Sequence, residues 1–427
     1  LTITTKFYSY YSIKINKVKK FIIKQINDIK NFSLIKIKYL FIIFLLSPFL
    51  IFIVLIQPIV LIRFGNLGIE RIGTFFEAEL YLLTNKFKKQ KVKLFDIWVT
   101  GDFISNKQLL IILKRKFLVI QQLLIFYKVL KLLSKYINIY SKHIISLEYV
   151  PHHFSLFEKH PIQLNLTKQE INKGDLILKQ FGIPKNAKIV CVTSRDNLYL
   201  RRTHPSVDFS YHNYRDSNVN NYIPAIKALI KKNFYVVRMG KIAAKRLDIK
   251  SSKFVDYPFH PLKSDFMDFF FAYKCYFWIC SNTGLDELAR VFRKPLLDSN
   301  MAQLKELKAT SKKTLLCLKI HKNYNNKKLS LNEIFDSGVG NSNRSEEFRK
   351  KKIKLNELNA NQLKDIVLEM TKLMKDSWKI KNKNDLKLQK KFEKLYLSKI
   401  KQIHPEYKHK KVNALYSLVF LKKIHGF

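Results

Sequence analysis

Apolar and polar positions alternate along the chain in three distinct manners. The first is an uncharged run from Tyr39 to Ile62, YLFIIFLLSPFLIFIVLIQPIVLI, which follows a lysine-rich lead from Lys14 to Lys38. A bilayer crossing takes about 20 apolar residues, so the run is long enough. Pro48 and Pro58 interrupt it, however, and its end, IVLIRF from Ile59 to Phe64, reads as a buried parallel strand. That assignment leaves about 18 residues for lipid, which suits a short, kinked or re-entrant segment as well as a full span. A buried core helix is the remaining reading. The long basic lead, with no small-residue cleavage site after the run, excludes an ordinary cleavable signal.

The second manner is a repeat of strand, loop and helix. IVLIRF leads through GNLGIERIG into a helix around Thr74 to Leu83, and VKLFDIWVT leads into GDFISNKQLLIILKR. Phe117 to Tyr140 reads as one helical stretch with lysines among leucines and isoleucines, able to lie on anionic lipid or on its own sheet. After a linker-like passage near 158–187 the series becomes more regular. The strands KIVCVTSR, NFYVVRMG, KFVDY, CYFWICSN and KPLLDSN alternate with the helices NYIPAIKALIKK, SDFMDFFFAYK and TGLDELARVFR. Such units imply parallel sheets covered by helices.

The third manner is weakly patterned: beyond Lys319, NYNNKKLS and SGVGNSNRSEEFRKKK read as a mobile surface passage. Helices around Asn361 to Trp378 and Leu386 to Ile400 follow, with room to pack back across the first domain. The implied organisation is a basic leader with a membrane-associated segment (1–57), an N-terminal Rossmann-like domain (58–157), a linker (158–187), a C-terminal Rossmann-like domain (188–320) and a tail (321–427).

Composition narrows the function classes. With 427 residues, 47% of them hydrophobic, two cores of ordinary size fit. The formal charge of +47 suggests nucleic acid or an anionic membrane. Yet Lys is spread through every segment alongside Ile, Asn, Phe and Tyr, the residues of A/T-rich codons, and no zinc-finger, ribonucleoprotein or basic-zipper signature is present. No nucleic-acid partner is expected. Cys191, Cys275, Cys280 and Cys317 form no C-x-x-C pair and read as reduced core thiols.

Ligands of a parallel sheet bind at the carboxyl ends of its strands. In the second series that edge collects Ser194, Arg195 and Asp196, then Arg238 and Gly240, then Ser281, Asn282, Thr283 and Gly284. Two arginines at successive strand ends can grip a diphosphate by charge-assisted hydrogen bonds. SNTG before a helix offers free backbone N–H groups and a positive dipole end. Between the first two strands lies YHNYRDSNVNNYIPAI (Tyr211 to Ile226), whose Tyr214, Arg215 and His212 would form a polar lid at that edge. No P-loop, GxGxxG, HExxH or GxSxG motif occurs, and no D-x-D, so a metal-held diphosphate is disfavoured and no cofactor is called for.

RFGNLGIERIGTFFEAELYLL, SRD, YHNYRDSNVNNYIPAIKALIKKNFYVVRMG and SDFMDFFFAYKCYFWICSNTGLDELARVFRKPLL together resemble a family of bacterial glycosyltransferases linked to surface-polysaccharide genes. More distantly, the strand order and the Ser/Asn/Thr-Gly helix start are similar to the donor domains of heptosyltransferases and fucosyltransferases of the two-domain GT-B type. The resemblance covers most of Ile59 to Asn300. It implies an α/β chain of two Rossmann-like domains that transfers a sugar from a nucleotide-sugar donor to a glycan or lipid-linked acceptor; the missing D-x-D makes that transfer metal-independent, and the N-terminal apolar segment would attach the chain to the cytoplasmic face of the inner membrane. It also makes Gly65, Arg71, Gly73 and Thr74 an acceptor-side loop. The family's RIGH reads RIGT here, with Thr74 in the histidine's place. If that histidine is the family's general base, the role falls to Glu77, Glu79 or His212, since a carboxylate or imidazole beside the acceptor hydroxyl is what the chemistry needs. The rival reading from another class is a non-catalytic, membrane-associated protein that binds a nucleotide sugar or a phosphate.

Overall fold

The computed structural model describes residues 41–87, 92–147, 155–281, 283–304, 311–403 and 412–423. The described chain falls into two compact units.

The first unit holds α1 (residues 41–55), β1 (Val60–Asn66), β2 (Lys93–Val99), β3 (Leu118–Val119), α4 (Leu124–Leu133) and β4 (Ile144–Ile145). Its four strands are parallel in the order β3-β2-β1-β4. Ile59 to Phe64 is thus the strand its pattern indicated, apart from its first residue. Arg63 and Asp96 are register partners on β1 and β2 and form a 2.8 Å ion pair. Gly65 lies within β1, where a Cβ would fall 2.5 Å from the Trp98 ring, so the position serves close packing.

Leu50 and Ile53 of α1 pack with Phe64, Ile97, Val99 and four residues of α4. The opposite face of α1 is open: Phe44, Leu55 and the following Ile59 are each more than 70% exposed, and Phe41, Leu45, Ile51 and Phe52 are also exposed. The apolar run therefore divides between helix and sheet. Tyr39, Leu40 and the lysine lead lie outside the described residues, and among the described residues no helix is long and apolar enough to cross a membrane. The single helix expected over Phe117 to Tyr140 is broken, because Leu118 and Val119 pair with Ile97 and Trp98 of β2. Ladder hydrogen bonds override the helical period there.

The second unit contains α2 (Thr74–Phe87), α3 (Lys107–Lys114) and everything described from residue 155 onward. The expected N-terminal domain, 58–157, is thereby shared between the units. The further elements of the second unit are α5 (Leu156–Lys159), α6 (Lys168–Gln180), β5 (Ile189–Val192), α7 (Leu198–Thr203), α8 (Ile223–Lys231), β6 (Tyr235–Arg238), β7 (Phe254–Asp256), α9 (Asp265–Lys274), β8 (Phe277–Cys280), α10 (Asp286–Val291), β9 (Leu296–Met301) and β10 (Thr314–Leu318). After these come β11 (Ile320–Asn323), α11 (Leu331–Asp336), α12 (Ser345–Lys350), β12 (Ile353–Asn356), α13 (Ala360–Lys375), α14 (Lys383–Ile403), β13 (Leu415–Tyr416) and α15 (Leu418–Lys423).

Seven parallel strands form one sheet in the order β13-β10-β9-β8-β5-β6-β7. Chain order reverses direction between β5 and β8, which makes their carboxyl ends the switch point where such sheets open a crevice. Helix packing is close: a Cβ on Gly174 of α6 would fall 2.0 Å from Cδ2 of Phe270 on α9. Phe75 of α2 meets the rings of Phe269 and Phe292 at 5.0 and 5.7 Å.

The passage beyond Lys319 is not the mobile surface segment its composition suggested. Leu331, Ile334, Phe335, Phe348 and Ile353 are buried in the core of the second unit, and β11 pairs antiparallel with β12. Sparse apolar anchors between lysines suffice to fold it. The closing helices also join this core, through Leu363, Ile366, Met370, Phe392 and Tyr396, and α13 packs on α8.

Candidate active site

A cavity of about 600 Å³ opens at the carboxyl edge of the seven-stranded sheet, lined entirely by residues of the second unit. Thr193 to Asp196 after β5, Arg238 to Ala243 from the end of β6, and Thr283 to Leu285 with Glu287 before and within α10 form its sheet side. Glu70 to Thr74, Phe76, Glu77 and Ser105 supply a second wall; Tyr199, Leu200, His204, Phe209, Tyr211, His212 and Arg215 supply a third.

The loop after β5 is fixed at both ends. Arg195 N donates to Ser281 Oγ at 2.7 Å, Ser217 N donates to Arg195 O at 2.9 Å, and Ser194 Oγ donates to Ser217 O at 2.6 Å. Asp196 accepts from Leu198 N and so starts α7. These bonds hold the Arg195 side chain, 11% exposed, at the cavity with Nε 3.3 Å from Asp216 Oδ1. Its Nε and Nη2 are buried and make no hydrogen bond, and neither does His212 Nδ1. An unmet buried donor costs about 1–3 kcal/mol, more when charged, so such groups at a cavity wall favour an anionic ligand. Burial and the adjacent Arg215 charge hold the Arg195 guanidinium below its usual pKa. Burial, then Arg215, Arg195 and Arg344, push His212 down to about 4, so its imidazole is neutral at physiological pH and a weak base.

The lid over this edge comprises two short 3-10 helices, Ser210–Arg215 and Val219–Tyr222. It is braced by the tail, since Tyr214 N donates to Ser345 Oγ at 3.1 Å and Asn218 N to Glu357 Oε2 at 2.7 Å, and by Lys319 after β10, whose Nζ donates to Asp216 O. Arg344 stacks over the Tyr211 ring at 5.1 Å. Tyr214 is buried against Phe348 and belongs to the core, not to the cavity wall.

Arg238 lines the cavity, but its Nη1 donates to Lys245 O at 2.9 Å and pairs with Asp256 at 3.2 Å, which ties the 241–247 loop to β7. Gly240, two residues on, has φ +151°, a backbone conformation that favours glycine. Thr283 and Gly284 line the cavity, Ser281 holds the Arg195 backbone, and Asn282 lies outside the described residues. The helix after them, α10, is only six residues long and carries Asp286 and Glu287 in its first turn, so its own carboxylates already face its positive end. Thr283 Oγ1 donates to Asp286 Oδ1 at 2.7 Å.

On the second wall Arg71, Gly73, Thr74 and Glu77 line the cavity, whereas Gly65 is on β1 and does not. Thr74 Oγ1 donates to Gly68 O at 2.7 Å and closes the RIGT turn. Glu79 is fully buried away from the lining: its carboxylate accepts from Gln163 N, Leu164 N and Arg293 Nη2, and so anchors the chain before α6. Burial raises its pKa against the Arg293 charge.

Sequence reasoning passed over Asp268. It sits in α9, 5% exposed, and lines the cavity with Tyr199, Lys241 and Ser105. Asn106 Nδ2 donates to its Oδ2 at 3.0 Å. Burial pushes its carboxyl up to about 7. The signal lay in the residue types of SDFMD, which read in the sequence only as the start of a helix.

Among the described residues, Cys280, Asp286 and Asp298 are the only His, Cys, Asp or Glu group close enough to share a cation. The cation present is Arg290, whose Nη2 lies 2.6 Å from Asp298 Oδ1 and 3.6 Å from Asp286. Burial depresses the Arg290 pKa, but Asp298 and Asp286 outweigh it and hold the group charged. The Cys280 thiol donates to Asp298 and is pushed up by burial, which disfavours the thiolate a metal requires.

No family model matches the chain, and no curated protein matches it. Among solved structures, the chain is similar to ADP-heptose LPS heptosyltransferase II of E. coli, with 11% identity and a TM-score of 0.37 over 60% of this chain and 90% of that one. It is also similar to a protein assigned as a UDP-N-acetylglucosamine 2-epimerase from Listeria monocytogenes, with 9% identity and a TM-score of 0.25 over 57% and 79% of the two chains. Neither likeness is strong enough to carry a function.

Proposed function

We propose that the chain is a glycosyltransferase that binds the diphosphate of a nucleotide sugar at the carboxyl edge of the seven-stranded sheet. The observation that carries this reading is the Arg195 guanidinium: buried, anchored through its backbone, with Nη2 making no hydrogen bond and Nε only a 3.3 Å ion pair to Asp216, at a cavity large enough for a nucleotide sugar. Arg215 adds a second positive charge, and neutral His212 can donate or accept a hydrogen bond beside them. In the transfer, an acceptor hydroxyl attacks the anomeric carbon and the carbon–oxygen bond to the diphosphate breaks. The departing electron pair is stabilised by the arginines. The acceptor's proton passes to a group on the cavity wall.

The exposed apolar face of α1 supports attachment to lipid, and so an acceptor that is itself held in a membrane, such as a lipid-linked saccharide, on the cytoplasmic face of the inner membrane. Arg195→Ala protein that stays folded should lose transfer from every nucleotide sugar the wild type uses; unchanged transfer sinks the proposal.

A further inference from the structure

We infer that Asp268 is the proton acceptor of the transfer, the group that takes the acceptor hydroxyl's proton as the glycosidic bond forms. This rests on the glycosyltransferase reading of the same cavity. Of the bases proposed from sequence, Glu79 is consumed by backbone and Arg293 contacts away from the lining, and His212 is too weak a base. Glu77 lines the cavity from the first turn of α2 and is only partly buried, so it lacks the shielding Asp268 has.

Asp268 combines three properties. It is on the cavity wall, it is shielded from bulk water, and its orientation is fixed by a residue that is itself fixed. Asn106 caps α3, its Oδ1 accepting from Leu109 N at 3.0 Å, so its Nδ2 is aimed at Asp268 Oδ2 and, at 3.1 Å, at Asp265 O. A base held by a preset neighbour needs no reorganisation when the acceptor arrives.

The charged and titratable groups facing Asp268 come from four elements. Asp265 is on α9 itself, Lys241 is on the loop after β6, Tyr257 is in the turn after β7, and Tyr199 is on α7. Lys241 Nζ is engaged by Ser105 O at 2.5 Å and Asp265 Oδ1 at 3.3 Å, so it tempers the local negative charge without neutralising Asp268 outright. Burial is the dominant influence and sets the carboxyl at about 7, where it is part ionised at neutral pH and matched to general-base work.

The proton balance is simple: the acceptor O–H bond breaks towards Asp268, the oxygen bonds the anomeric carbon, and the nucleoside diphosphate leaves with the electron pair. Asp268 then returns the proton to solvent.

The test uses the full chain with ADP-, UDP-, GDP- and CDP-sugar panels and extracted lipid-linked glycans. Nucleoside diphosphate release and binding of the free diphosphates are measured in parallel. Asp268→Asn should lower kcat by about 100-fold or more while free diphosphate binds as to wild type. The wild-type rate should rise with pH to an inflection near 7, which the variant lacks. Asn106→Ser keeps a helix cap but withdraws the amide that favours the ionised form, so the inflection should move to higher pH. A merely structural Asp268 would not produce that shift. Full transfer by Asp268→Asn overturns the assignment alone. Absence of diphosphate binding and of transfer in wild type overturns the assignment together with the reading beneath it.

Discussion

Asp268→Asn also carries a stability prediction that needs no substrate. In the unfolded chain this carboxyl titrates near 3.8, and in the native state burial moves it to about 7. The native state therefore holds a proton that the unfolded state has released. Stability from this group is complete below pH 4, falls as pH rises, and is lost above the native value. At 1.36 kcal/mol per unit, the whole interval corresponds to about 4 kcal/mol, of which about 2 kcal/mol falls between pH 5.5 and 8.5. Asparagine has the shape of the protonated acid and can still accept from Asn106, so the variant lacks this dependence. Scanning calorimetry of both proteins at pH 5.5 and 8.5 cancels the titrations they share. The variant should gain about 2 kcal/mol on the wild type across that window, or about 4 °C in relative melting temperature for a unit of this size. A gap that does not change with pH would refute the argument that Asp268 is buried and protonated near neutrality.

Three further outcomes are expected. Gly174→Ala should destabilise the second unit by about 1–3 kcal/mol in denaturant unfolding, since the added methyl would sit 2.0 Å from the Phe270 ring in a close-packed interface. Arg290→Met should cost about 3–5 kcal/mol by the same measurement, because it strands Asp298, Asp286 and Glu287 in the core without their cation. Phe44→Asp with Phe52→Asp should leave the melting temperature nearly unchanged, as both rings are exposed, yet sharply reduce co-sedimentation with anionic vesicles; undiminished binding would remove α1 as the lipid contact.

The strands and most helices of the second unit were legible because continuous apolar runs such as IVCV and FWIC, bounded by polar turns, have few alternative folds. The Phe117 to Tyr140 stretch misled because Leu118 and Val119 are claimed by β2, a long-range pairing with no local mark. The Asn/Lys-rich tail misled in the other direction: its few anchors, Leu331, Phe335 and Phe348, fold it, and Ser345 and Glu357 then brace the lid.

At the site, placement by strand ends brought Ser194, Arg195, Asp196, Arg215, His212, Arg238, Gly240, Thr283 and Gly284 to one edge. Pattern alone could not distinguish an arginine with an open Nη2, Arg195, from one engaged by Asp256, Arg238, or a tyrosine of the core from one of the wall. Those distinctions depend on partners distant in sequence. Asp268 was hidden for the same reason: its environment is made by Asn106, Tyr257 and Lys241, none of them neighbours along the chain.

The most direct measurement is calorimetric titration of ADP, UDP, GDP and CDP into the wild-type chain and into Arg195→Met. The account predicts that at least one diphosphate binds the wild type and that the variant, still folded by its melting profile, binds it at least tenfold more weakly. Equal binding by the two proteins, or no binding of any nucleoside diphosphate to the wild type, would contradict it.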